Sequence, residues 1–252
     1  MSKGGVPGAG PVPTAGPVVS STWERRNVAE AGADDPIFDL SGGALCLDFA
    51  NTLDDRPDPS PRETLRSYAA LVAFARQSGA LPEEHLASLS AAAAGSPAAA
   101  EAALARAVAL REAIYRIFVA FADERPVAAP DLAALNGALG EALAQARVAP
   151  DALKPDHPFD WIWADEPVSL DAPLWPIVRS AADLLTSSGL SALRVCASES
   201  CAWLFLDTSR NGSRRWCSMR TCGNRAKARR HHARIRAPSS PPPASGSAEP
   251  LL

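Results

Sequence analysis

Residues 196–230 read CASESCAWLFLDTSRNGSRRWCSMRTCGNRAKARR and hold four of the chain's five cysteines in two equal pairs. Cys196 and Cys201 enclose four residues, Cys217 and Cys222 enclose four more, and a 15-residue excursion separates the pairs. Two short loops that each offer two thiolates are a layout that clamps Zn²⁺ tetrahedrally. Four thiolates close the tetrahedron and leave no position for water, so the reading is one structural Zn²⁺ per chain on Cys196, Cys201, Cys217 and Cys222. His231 and His232 follow Cys222 by nine and ten residues. On a helix rising about 1.5 Å per residue they would lie roughly 14 Å away, too far to compete as ligands.

The excursion reads as a β-hairpin. Trp203-Leu204-Phe205-Leu206 is strand-like, and Asn211-Gly212 suits a two-residue turn with positive φ. Counting outward from that turn sets Leu206 opposite Cys217, which puts Leu204 and Leu206 beneath the metal and Trp203, Phe205, Arg214 and Trp216 on the other face. After Cys222 the chain is free of Pro and rich in helix formers, so a helix is expected, with the last ligand in its first turn. Knuckle, hairpin and ligand-bearing helix make a treble-clef-like zinc module.

Cys222-Gly223-Asn224-Arg225, preceded by Phe205-Leu206-Asp207-Thr208-Ser209-Arg210-Asn211 and Arg214-Arg215-Trp216-Cys217-Ser218-Met219, resembles the bacterial zinc-finger family named for its Cys-Gly-Asn-Arg motif. The stretch Leu45-Cys46-Leu47-Asp48-Phe49-Ala50-Asn51-Thr52 is similar to the opening of that family's helical N-terminal domain. The resemblance covers about residues 37 to 232, most specifically after Leu204. It implies zinc, DNA as the partner, and a role in transcriptional regulation.

Charge divides the chain unevenly. From Arg194 to Arg236 there are eleven Lys and Arg against two carboxylates, Glu199 and Asp207; elsewhere 14 basic residues face 26 acidic ones. A Zn(Cys)₄ centre takes about two charges from the module and leaves it strongly positive, a field that attracts polyanions. The candidate nucleic-acid contacts are Arg210, Arg214, Arg215, Arg225, Lys227, Arg229, Arg230 and Arg234. Charge alone does not separate DNA from RNA, and a charge run is also the ordinary solvated face of a helix. An RNA-binding module and a protein-interaction module braced by zinc therefore stay open beside the DNA reading.

Upstream, a mostly α domain with a small β ribbon is expected over residues 36–190, and the zinc module over 191–236. Residues 1–35 and 237–252 have the Gly, Pro, Ala and Ser content of disordered tails. Ile37-Phe38-Asp39-Leu40 reads as a short strand. Leu45, Phe49 and Leu53 form a helical stripe, and Ser60-Pro61-Arg62-Glu63 reads as a capping box opening a helix from Thr64 to Ser78. Further helices are expected over 82–94, from Pro97 through Phe121, over 131–147 and over 174–187. Phe159 to Trp163 alternates like a strand, with Ala146-Arg147-Val148 as its candidate partner.

Asp48, Asn51, Arg56, Arg111, Tyr115 and Trp163 are candidates for an effector pocket, polar groups set among aromatic walls. Singly, each has an ordinary account as a cap or an ion pair. No catalytic motif stands out, although a small-molecule-binding protein or an enzyme in the helical domain is the remaining alternative. Neither a signal sequence nor a membrane-length apolar run is evident, so a cytoplasmic protein is expected, with a homodimer as one arrangement of its helical domain. In a reducing compartment clustered cysteines serve metals rather than disulfides, and Cys46 reads as a buried thiol.

Overall fold

All six residues of the first helix, α1 (Leu45–Ala50), are buried, so the helix lies inside the core rather than on it. The computed structural model describes residues 36–150, 158–164 and 168–236; the tails expected over 1–35 and 237–252 lie outside these residues. After α1 come β1 (Leu53–Asp54) and β2 (Arg62–Glu63), an antiparallel pair with Leu53 opposite Glu63. Four helices follow: α2 (Tyr68–Gln77), α3 (Glu83–Gly95), α4 (Pro97–Ala122) and α5 (Ala129–Gln145). The ribbon β3 (Ala146–Pro150) and β4 (Phe159–Trp163) pairs Ala146 with Trp163 and Val148 with Trp161, as the alternation predicts. Then come α6 (Leu174–Leu185), β5 (Leu193–Val195), β6 (Leu204–Leu206) and α7 (Asn224–Arg236). The chain is mostly helical, with small antiparallel pairs and a cysteine cluster near its C-terminal end.

Helix α4 runs through the assembly and touches α1, α2, α3, α5 and both β5 and β6. Pro97 starts it where no N–H is needed. Alanines at 100, 103, 107, 113 and 120 lie on its buried face, where small side chains let neighbours approach, while Ile114, Ile117 and Phe118 fill the interior. Burying such a side chain is worth about 1.5–3 kcal/mol. Phe121, expected on this face, is 40% exposed. No helix among the described residues is long and apolar enough to cross a membrane.

Three local expectations differ from the structure. Helix α1 stops at Ala50, and Leu53 enters β1 instead of continuing the stripe. Helix α2 starts at Tyr68, four residues later than the capping box suggests, because Ser67 accepts the Ala70 N–H at 3.1 Å. Arg62 and Glu63 are already committed to the β ribbon, and the Glu63 carboxylate is held by Arg111. Residues 37–40 form no strand; Phe38 instead sets its ring edge-on to Phe74 at 5.3 Å.

Candidate metal centre

Strands β5 and β6 form the hairpin of the zinc module, and the first cysteine pair is its turn. Leu193 pairs with Leu206 and Val195 with Leu204, and Cys196 N–H bonds Trp203 O at 2.8 Å just before the knuckle. The hairpin expected over 203–217 is not the one formed. Strand parity carries Leu204 and Leu206 into the main core, whereas Phe205 faces the cysteines with Trp203 and Trp216 packed beside it. The faces are thus the reverse of those counted from an Asn211-Gly212 turn. Residues 207–217 are a loop organised on Asp207, whose carboxylate accepts from Ser209 N, Ser209 Oγ and Arg214 N. Gly212 turns within it at φ +57.

All four Sγ atoms lie within 4.8 Å of one another, and all four cysteines are buried. Cys201 Sγ is 3.6 Å from Cys217 Sγ, and Cys217 Sγ is 3.8 Å from Cys222 Sγ. A tetrahedron with Zn–S of about 2.3 Å has edges of about 3.8 Å. The sulfurs are therefore spaced for one Zn²⁺ and too far apart for disulfides. Without a cation the cluster resists full ionisation. Hydrogen bonds from Cys201 and Cys217 pull the Cys196 thiol far down, and the same bonds push Cys201 and Cys217 up. A divalent ion removes that repulsion, so loading it releases protons.

The residues after the last ligand brace the site. Cys222 closes a π-type turn, Met219–Gly223, directly before α7. A Cβ on Gly223 would fall 2.7 Å from Met219 Sδ, so the turn closes tightly over a glycine. Asn224 Nδ2 donates to Arg220 O at 3.1 Å, and Arg225 Nη1 donates to Ser200 Oγ at 3.0 Å, tying the helix to the first knuckle.

Residues 43–188, more than half of the chain, match the ABATE family, described as "Putative stress-induced transcription regulator". The chain belongs to the ABATE family. Residues 192–235 match the CGNR zinc finger, in agreement with the cysteine geometry and one structural Zn²⁺. Among curated proteins none matches the chain.

The ABATE region and the CGNR finger meet along polar contacts that sequence reading could not place. Asn51 brackets one finger residue: its Nδ2 donates to Leu204 O at 2.8 Å and its Oδ1 accepts from Leu204 N at 2.9 Å. Replacing Asn51→Ala would leave both backbone groups buried and unpaired, at about 1–3 kcal/mol each. The expected result is a lower urea midpoint with unchanged zinc content.

Arg111, whose side chain is 2% exposed, forks onto Glu63 at 2.6 and 2.7 Å and reaches Glu112 at 2.9 Å. Arg56 pairs with Glu112 at 2.8 Å and lies 3.6 Å over the Tyr115 ring. Tyr115 in turn donates its hydroxyl to Ala202 O in the knuckle at 3.0 Å. Burial would raise the Glu112 carboxyl, but Arg56 and Arg111 outweigh it and hold the group below its usual range.

The six candidate pocket residues therefore separate. Asp48 and Asn51 line a cavity at this seam of about 300 Å³, Arg56, Arg111 and Tyr115 form the adjoining ion network, and Trp163 sits on β4 with its ring 6.0 Å from Trp175. Two further members of the wall, Trp203 and Arg62, carry no local sequence signal as binding groups. Asp48 accepts the Gly42 N–H at 2.7 Å, and burial pushes its carboxyl up to about 7, with Asp39 adding to the effect.

The basic residues also divide. Arg210, Arg215, Arg225, Lys227 and Arg229 are exposed, and Arg220, outside the candidate set, is exposed with them. Arg214 is half-buried and partly engaged within the metal loop. Its guanidinium donates to Trp216 O at 2.8 Å and to Cys217 O, and it lies 4.5 Å over Phe205, so it props the metal loop from within. The side chains of Arg230 and Arg234 lie outside the described residues.

Proposed function

We propose that this chain is a zinc-dependent, DNA-binding transcription regulator of the cytoplasm, in which residues 191–236 bind DNA and residues 36–190 sense a small molecule or dimerise. The observation that carries the reading is a one-signed surface beside the metal. Arg210, Arg215, Arg220, Arg225, Lys227 and Arg229 are all exposed, and no Asp or Glu occurs between Asp207 and Glu249. Helix α7 has no acidic residue to neutralise its cations internally, so phosphates are the natural counter-charge. Zinc has a structural role in this reading, holding the turn from which α7 departs. No catalytic step is assigned to the helical domain, whose network of Arg56, Arg111, Glu63 and Glu112 couples elements instead of facing a substrate.

The test is a titration of zinc-loaded protein with duplex DNA across a salt series. The double variant Lys227→Gln/Arg229→Gln is expected to bind more weakly and to flatten the log–log salt slope by about two, one for each phosphate left without its cation. An unchanged slope would remove α7 from the DNA-facing surface. Tighter binding to single-stranded RNA of equal length than to the duplex would move the assignment to RNA.

A further inference from the structure

Helix α5 turns one side to the rest of the chain and leaves the other uncovered. Leu135 and Ala142 are buried where the helix packs on α4 and α6. On the outer side Leu132 is 42% exposed and Leu143 48%, and among the exposed residues of the helix only Glu141 is charged. A helix face that stays in water ordinarily carries several charges, so an apolar one marks a surface that something covers. Two glycines on the same side agree with this. Glycine weakens a helix interior relative to alanine and is kept where another element comes close. A Cβ at Gly137 or Gly140 would meet nothing within 4 Å, so no contact among the described residues accounts for either glycine.

The order of the residues says what comes close. At about 100° per residue, Ala133, Gly137, Gly140 and Ala144 fall on one line along the exposed side. Their spacings of 4, 3 and 4 read the same in both directions. The line therefore matches its own antiparallel copy, Gly137 against the partner's Gly140 and Ala133 against the partner's Ala144, which is the self-complementarity that a two-fold interface requires. Leu132, Asn136 and Leu143 stand along one flank of the line, and the same axis brings flank to flank, seating Leu143 between the partner's Leu132 and the partner's Asn136. Glu141 stands on the opposite flank, in the field of Arg106 on α4 and outside the leucine seam. A stable interface buries at least about 1,000 Å² in all, more than one helix of about 25 Å supplies alone. Antiparallel pairing extends the contact at both ends: the end of α5 that enters β3, with Val148 61% exposed, lies beside the start of the other α5, where Val127 is 37% exposed.

We infer that a second copy of this chain covers α5, the two helices packing antiparallel across Gly137 and Gly140 to form a two-fold dimer. The inference names the surface for the dimerising part of the regulator reading and rests on that reading for its purpose. The pair carries two basic α7 helices, the number that a two-fold DNA site takes.

Sedimentation of the full, zinc-loaded chain without DNA should give twice the chain mass. Gly137→Gln/Gly140→Gln fills the line with side chains that the open space of a single chain admits. The dissociation constant of this double variant should rise about a hundredfold or more, while at a dilution where both proteins are monomers it should melt no lower than the parent. Leu143→Glu, on the flank, should also weaken the dimer. An equal mixture of Ala133→Cys and Ala144→Cys chains should join through a disulfide on mild oxidation, and neither variant alone should, because each position meets the other across the axis. A monomer at every concentration, a dimer untouched by the glycine substitutions, or cross-linking of Ala133→Cys with itself would each overturn the inference. A dimer without affinity for DNA would leave it standing while the regulator reading fell, and a DNA-binding monomer would do the reverse.

Discussion

Chelating the zinc is expected to unfold residues 207–236 while β5 and β6 stay in place. The cysteines, Phe205, Trp203 and Trp216 form a separate small cluster, and between Asp207 and α7 the only regular element is the π-type turn Met219–Gly223. Helix α7 has 13 residues, a length at which an isolated helix is marginal in water even without like-charge repulsion. Structural zinc contributes about 10–16 kcal/mol in finger peptides, far more than so small an apolar cluster can replace. Leu193, Leu204 and Leu206, in contrast, belong to the main core and are fixed by α1 and α4. Amide exchange on the chelated chain should therefore show protection lost over 207–236 and kept over 193–195 and 204–206. Retention over the whole region would refute a structural role for the metal, and loss over the whole region would show that the strands depend on it. Cys217→Ala should reproduce the chelated pattern.

The second large effect is expected at Arg111. Arg111→Ala strands Glu63 without its fork and removes one of the two cations that offset burial at Glu112. Deleting one member of a fully buried pair costs about 3–5 kcal/mol through the charge left behind, and the cost here is expected below that range because the Glu63 side chain is 33% exposed. The double variant Arg111→Met/Glu63→Gln should therefore recover most of the loss, a coupling that a double-mutant cycle in urea reads directly. Equal stability of the single and double variants would mean that Arg111 acts only as bulk. The sign with pH follows from Glu112, whose carboxyl is depressed in the folded state. Its contribution is complete above its ordinary value of 4.5 and is lost as pH falls through the lower folded value, so the penalty of Arg111→Ala should shrink in acid.

The metal centre is legible in the sequence because a ligand set is written in covalent spacing: two pairs with equal gaps need no tertiary information. The helices from Glu83 to Gln145 and the β3–β4 ribbon are legible for a related reason, since their periodicities and stop signals are local. The module's hairpin is not. Asn211-Gly212 is a strong local turn signal, but it loses to Asp207, which captures three donors and sets the loop. The true partner of β6 is three residues long and sits before the knuckle, too short to announce itself. Which face of Leu204-Phe205-Leu206 turns inward is then decided by the core of another region.

The candidate pocket behaves similarly. Asp48 and Asn51 stand out as polar residues among apolar ones, but the partner of Asn51 is a main chain 153 positions away, and no side-chain pattern records a backbone. Arg214 reads as a surface cation because sequence gives charge and not the carbonyls that consume it. Ser67 outcompetes Ser60 as a cap once Arg62 and Glu63 are drawn into a ribbon that two-residue strands do not signal.

Gly43 turns at φ +88, and a Cβ there would stand 3.3 Å from the Leu206 side chain, while Gly42 O accepts the Leu206 N–H and Asn51 grips Leu204. The entry to the first helix is thus moulded to a strand of the finger at the far end of the chain. Such a join makes the two regions a single unit of inheritance. A finger transplanted from another chain would meet an α1 shaped for a different strand unless residues 42–51 travelled with it, so drift at one end of the gene is answerable to the other.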